Sequence, residues 1–97
     1  MLNITQNKND SILELALEGR LDTVTAPQLQ AAIDEQFEDV TEVVMDLKDL
    51  AYISSAGLRV LLTVRKGLTG DLVLRNVDPS VLEVLEITGF VDILTIE

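Results

Sequence analysis

The chain has no cysteine and no histidine. The first absence removes disulfides and thiolate chemistry. Together they remove a Ser-His-Asp triad, a thiol nucleophile and a His-rich zinc site. Tryptophan is missing too, and one Tyr with two Phe make up the aromatic complement, so aliphatic side chains must fill the interior. Basic residues are scarce: seven Lys and Arg stand against 17 Asp and Glu, for a net charge of −10. That balance argues against nucleic acid, whose phosphates call for a basic patch, and against adhesion to anionic lipid; it favours a protein partner with a basic surface. No apolar run reaches the roughly 18 residues of a membrane span, which argues against direct membrane insertion, and MLNITQNKND lacks the basic-then-apolar order of a secretory signal. A cytoplasmic protein is the expectation.

Further motifs are absent. Nucleotide hydrolysis lacks the Gly-x-x-x-x-Gly-Lys-Ser/Thr pattern that cradles phosphates. The acidic stretch EQFEDVTE, from Glu35 to Glu42, lacks the glycine-bearing ligand pattern of a calcium loop and reads as a solvated helix end. A Ser-Lys pair, with Ser54 or Ser55 meeting Lys48 or Lys66, has no recognisable oxyanion arrangement beside it. The expectation is a protein that is not an enzyme and uses neither cofactor nor metal.

What remains is 97 residues, 47% hydrophobic and 25% charged, which suits one domain spanning residues 1–97. A chain of this size buries roughly 65% of its unfolded surface. Its centre is VVMDLKDLAYISSAGLRVLLTVRKGL, from Val43 to Leu68. Val43, Val44, Met45 and Leu47 read as a strand buried on both faces. After a short loop, Gly57, Val60, Leu61, Val64 and Leu68 recur at helical spacing, with Arg59, Thr63 and Lys66 on the other side. Ser54 and Ser55 stand where that helix begins. A helix start leaves N–H groups unpaired and carries the positive end of the dipole, so either serine is a cap or a place to hold an anion.

Around this centre, Leu2, Ile4 and Gln6 suggest an edge strand that turns at NKND, from Asn7 to Asp10. Ile12 is followed by Leu13, Leu15 and Leu17 at period two, a strand with one buried face that ends at Gly19. Leu29, Ala32, Ile33 and Phe37 share a helical face; Thr25 and Gln28 have capping-box spacing, and Pro27 sits harmlessly in the first turn. Asp22 falls in the preceding loop, as turn former, local cap or site residue. LVLRNV reads as the next strand, Asp78 and Pro79 start a third helix that stops at Gly89, and VDILTIE closes as a strand. The order predicts an α/β domain with a mixed, mostly parallel sheet and amphipathic helices packed on it.

Two blocks carry a resemblance. MDLKDLAYISSAGLRVLL resembles the central motif of STAS domains, the family of sulphate-transporter domains and bacterial anti-sigma-factor antagonists. GRLDTVTAPQL, from Gly19 to Leu29, is similar to the family's earlier Gly-x-Leu-Asp block. With the order of the elements, the resemblance extends over nearly the whole chain. Alignment on Gly57 puts the family's phosphorylated serine on Ser55 and its following Ser/Thr on Ala56; the family's preceding aspartate is replaced by Ser54. Asp22 and Asp46 match aspartates of the two blocks and are the implied neighbours of Ser55. The resemblance implies a STAS-like fold and a binding module used as a switch. An unmodified anti-sigma-factor antagonist engages an anti-sigma-factor serine/threonine kinase; phosphorylation at Ser55, with Ser54 as the second choice, ends the interaction, and a cognate phosphatase restores it. ATP then belongs to the kinase. Ser54, Ala56, Gly57, Leu58, Arg59 and Lys66 are the implied docking residues. Because Ser54 replaces the aspartate, a second reading stands beside the first: a non-phosphorylated STAS assembly subunit of a membrane transporter complex.

Overall fold

The period-two leucines define the sheet. In the computed structural model, which describes residues 2–97, Leu13, Leu15 and Leu17 lie on one side of strand β2 (Ile12–Leu21) and are at most 2% exposed, while Glu14, Ala16 and Glu18 face solvent. Strand β1 (Leu2–Asn9) pairs antiparallel with it, Ile4 opposite Leu17. The predicted NKND turn is displaced: β1 runs to Asn9 and the chain reverses at Asp10 and Ser11, Asp10 taking a left-handed φ of 57°, which aspartate tolerates better than most residues.

The central strand is longer than its apolar run. Strand β3 (Glu42–Ile53) pairs parallel with β2 throughout, so the segment read as a loop before Ser54 is strand, and β2 passes through Gly19 to end at Leu21. Two register steps make this possible. Ala16 faces Asp46 but Glu18 faces Asp49, and Gly19 faces Leu50 but Arg20 faces Tyr52, so β3 carries an extra residue at each step. Each extra residue swaps the face that follows. Val43, Met45, Leu47, Leu50 and Ile53 therefore all reach the core, at 0–3% exposure, although the last two intervals are three residues rather than two.

The remaining elements are helix α1 (Ala26–Gln36), helix α2 (Ser55–Gly67), strand β4 (Leu72–Arg75), helix α3 (Pro79–Ile87), a 3₁₀ turn (Phe90–Asp92) and strand β5 (Thr95–Ile96). VDILTIE is thus mostly not strand; only its end pairs with β4. Strand order follows chain order, and β2 through β5 are parallel. Right-handed crossovers that all step the same way put the three helices on one face. Leu29 and Ile33 of α1, Leu61 and Val64 of α2, and Val81 and Leu85 of α3 join the strand leucines in one core. The expected capping box is not formed. Thr25 is buried and makes no cap bond, its hydroxyl being engaged in the preceding loop, and Gln28 donates instead to the Leu2 carbonyl at 2.9 Å. Asp78 does cap α3, accepting from the Ser80 N–H and hydroxyl, and Gly89 ends that region at φ 80°.

Candidate functional site

Adjacent strand ends bring the two sequence blocks together. Leu21 closes β2 opposite Ile53 at the end of β3, and the Ser54 N–H donates to the Leu21 carbonyl at 2.9 Å, so Asp22 and Ser54 leave the sheet side by side. The pair of serines is then divided by the helix start. Ser54, in extended conformation, is the N-cap of α2: its Oγ accepts from the Gly57 N–H at 3.4 Å. Ser55 is the first helical residue, exposed, and its hydroxyl has no hydrogen-bond partner among the described residues. One serine finishes the helix and the other is presented to solvent.

Gly57 explains why the helix starts so close to the sheet. A Cβ there would stand 2.7 Å from Leu21 Cγ and 2.9 Å from Ile53 Cγ1, both in buried residues. Leu58 is 7% exposed and belongs to the core. Gly57 and Leu58, expected at a docking surface, support it from beneath: Gly57 lies on the side of the helix away from Ser55, and Leu58 packs at the edge of the buried face one turn before Leu61. Ala56 is half buried, and Arg59 is exposed one turn after Ser55. Lys66, in the last turn of α2, lies about 16 Å along the helix from Ser55. It lines a different hollow with Leu62, Arg65, Asp92 and Ile93, so it is not part of the same site.

The two aspartates part company. Asp22 turns its carboxylate back into its own loop, where Oδ1 accepts from the N–H groups of Val24 and Thr25 at 3.0 and 3.1 Å. The buried Thr25 hydroxyl accepts from the Asp22 N–H at 2.8 Å, and its proton is shared between the Arg20 carbonyl (2.8 Å) and Asp22 Oδ1 (3.1 Å). The Thr25 N–H is the main influence holding the Asp22 carboxyl below its ordinary pKa; desolvation opposes it, and the Thr25 hydroxyl and Val24 N–H reinforce it. Asp22 is thus a turn former at the right end of the sheet. Asp46 is not a neighbour of Ser55. It sits opposite Ala16, five β2 residues before the Leu21–Ile53 level, about 17 Å along the strand direction. There it accepts from the Lys48 N–H and the Asn76 side chain at 3.0 and 3.2 Å. Matching a block in sequence did not place it, because β3 continues for seven residues beyond it.

A groove of about 350 Å³ opens between the first turns of α1 and α2, with Thr23, Gln30, Ser55, Ala56, Arg59 and Thr63 among its lining residues. Two further residues near this end of the sheet are exposed without a periodic signal. Val24 is 85% exposed, and Tyr52, 40% exposed, carries the Arg20 guanidinium 4.2 Å above its ring. Arg20 also approaches Asp22 at 3.9 Å, an exposed pair worth little to stability. The register Arg20↔Tyr52, set by a step in the strand pairing, is what brings them together. Among the described residues no group of His, Cys, Asp and Glu could hold a metal ion, and no helix is long and apolar enough to cross a membrane.

The STAS domain model matches residues 3–97. This chain belongs to the STAS domain family. BtrV of Bordetella bronchiseptica, provisionally named an anti-sigma factor antagonist, is 42% identical over 98% of this chain and 85% of its own length. An anti-sigma factor antagonist from Mycobacterium paratuberculosis superimposes with a TM-score of 0.84 at 26% identity, over 99% of this chain and 85% of that one. The Bacillus cell fate determinant SpoIIAA, in its phosphorylated form, shares the fold with a TM-score of 0.76 at 20% identity, over 98% and 91% of the two chains.

Proposed function

We propose that the chain is an anti-sigma-factor antagonist, a non-enzymatic module that engages an anti-sigma-factor serine/threonine kinase and is switched off when that kinase phosphorylates Ser55. One observation carries the reading: Ser54 is occupied as the cap of α2, while Ser55 beside it is exposed and unpartnered. The names of the relatives agree with it, and SpoIIAA is a protein of this fold that exists in a phosphorylated form. In the transfer, Ser55 Oγ attacks the γ-phosphorus of ATP held by the kinase. The new O–P bond forms as the bond to ADP breaks, and the serine proton passes to a base of the kinase. A cognate phosphatase hydrolyses the phosphoserine and restores the hydroxyl. Location in the cytoplasm, where such a kinase finds ATP, belongs to the same reading.

The docking surface in this reading is Ser54, Ser55, Ala56 and Arg59, with Val24 beside them. Phosphate adds about −1.5 to −2 charges. At the start of α2 that charge meets free N–H groups, an interaction of about 0.3–1 kcal/mol, so the fold tolerates it. Enclosed in an interface without a full set of partners it costs several kcal/mol, enough to weaken binding a hundredfold or more.

The test is isolation of the native protein with its partners, mapping of the phosphosite, and comparison of both forms for partner affinity and melting temperature. A kinase partner, phosphate on Ser55 and an affinity loss far exceeding the change in stability are the expected results. Phosphate on Ser54, or equal affinity of the two forms, would overturn the mechanism. A transporter partner with no phosphate at either serine would favour the assembly-subunit reading, which the replacement of the family's aspartate by Ser54 keeps in view.

A further inference from the structure

The groove between α1 and α2 is unusual for so acidic a chain. Three other hollows on the surface each include a carboxylate: Glu14 and Asp46 in one, Asp92 in another, Asp34 in the third. The Ser55 groove includes none, and Arg59 is its one charged lining residue. The Arg59 guanidinium has no ion-pair or hydrogen-bond partner among the described residues; only its backbone carbonyl is engaged, by the Thr63 hydroxyl at 2.9 Å. Residues four apart on a helix are neighbours, with about 5–6 Å between their Cβ atoms. An unpaired guanidinium therefore stands within reach of the Ser55 oxygen, in a hollow open enough for a phosphoryl group and with no carboxylate among its lining residues; Asp22, next to Thr23, is the nearest acidic residue in sequence, and its Oδ1 is engaged by its own loop.

We infer that this groove receives the phosphorylated side chain itself: the phosphoryl group on Ser55 turns into it and is held by Arg59. The inference rests on Ser55 being the modified residue and adds what becomes of the phosphate afterwards. Arginine suits the part because its planar fork donates two parallel hydrogen bonds to phosphate oxygens, whereas lysine offers a point charge. The paired dianion is favoured over the monoanion, so the second ionisation of the phosphoserine falls below its ordinary value near 6. The modified protein thus carries its phosphate folded back against its own surface, and a phosphatase must first draw it out.

Phosphoserine placed at position 55 by genetic encoding makes the test independent of any kinase. The full chain, Arg59→Gln and Arg59→Lys are titrated by phosphorus NMR, with Lys66→Gln as a control of equal charge change at the far end of α2. Arg59→Gln should raise the second phosphate pKa by about half a unit, a discounted figure for an exposed pair. Arg59→Lys should recover part of that shift, Lys66→Gln should leave the value unchanged, and 1 M salt should shrink the difference. Identical titrations of the unsubstituted chain and Arg59→Gln would overturn the inference and leave Ser55 as phosphosite intact, as would an equal shift from Lys66→Gln. Mapping of phosphate to Ser54 in native protein would overturn both.

Discussion

Substitution of Gly57 separates two physical effects that point in opposite directions. Helix propensity alone predicts that alanine stabilises this position by about 1 kcal/mol over glycine, and that valine does so by a few tenths. Packing predicts the reverse. A single added methyl would lie 2.7 Å from Leu21 Cγ, 2.9 Å from Ile53 Cγ1 and 3.0 Å from Leu21 Cδ2, and these atoms belong to side chains that are 0% and 3% exposed. Overpacking of this kind costs about 1–3 kcal/mol per site. Gly57→Ala should therefore lose about 1 kcal/mol net and Gly57→Val about 3. For a domain of this size that corresponds to melting temperatures lower by about 5 °C and by more than about 10 °C. Urea unfolding at constant m-value is the direct measurement. Leu21→Ala, costly alone, should cost less in the Gly57→Ala background, because the new methyl fills part of the space vacated. If both Gly57 variants matched or exceeded the native stability, the claim that this glycine sets the height of α2 above the sheet would be refuted.

Other outcomes follow from the same contacts. Thr25→Val keeps the shape but leaves the Arg20 carbonyl and Asp22 N–H without their hydroxyl partner, so urea melts should show a loss of about 1–3 kcal/mol. Ser54→Ala should cost about 0.5–1 kcal/mol as a lost cap with a long 3.4 Å bond, and Ser55→Ala close to nothing; phosphorylation assays should reverse that order, and a larger stability loss at Ser55 would contradict the division of labour. Asp22 and Asp78 both have pKa values held below the ordinary carboxylate range, so each contributes stability that is complete above about pH 4 and is lost as pH falls through the folded-state value. The stability difference between the native chain and Asp22→Asn should accordingly be largest near neutrality and shrink toward pH 2; a difference that does not vary with pH would remove the carboxylate's role in the loop.

Both functional blocks were legible because their signals are local. Leu13, Leu15 and Leu17 declare a one-sided strand, Pro27 and Pro79 sit in first helical turns, and Gly57 followed by Val60, Leu61 and Val64 declares the central helix. What the sequence does not reveal depends on pairing between distant segments. The residues from Lys48 to Ile53 have neither a period of two nor an unbroken apolar run, and only the stepped register against β2 makes them a strand. Asp46 differs from its expected place for the same reason: a strand ending near Leu47 would put its carboxylate at the sheet end, but β3 runs on to Ile53. Leu58 adjoins the motif but packs in the core, one turn before Leu61. Val24 and Tyr52 carry no sequence signal of their own; their exposure near this end of the sheet is set by the loop and by the bulge.

The sequential order of the strands bears on how the molecule is made. Leu13 pairs with Val43, Val43 with Leu72 and Val73 with Thr95, so the parallel contacts close loops of about 20 to 30 residues, and none joins the two ends of the chain. During synthesis, each strand after β1 can therefore find its partner already made, beginning with the β1–β2 hairpin and finishing with the two residues of β5. The surface that presents Ser55 is built from β2, α1, β3 and α2, the part of the chain that emerges before β4, so its elements can meet while the last third is still being synthesised.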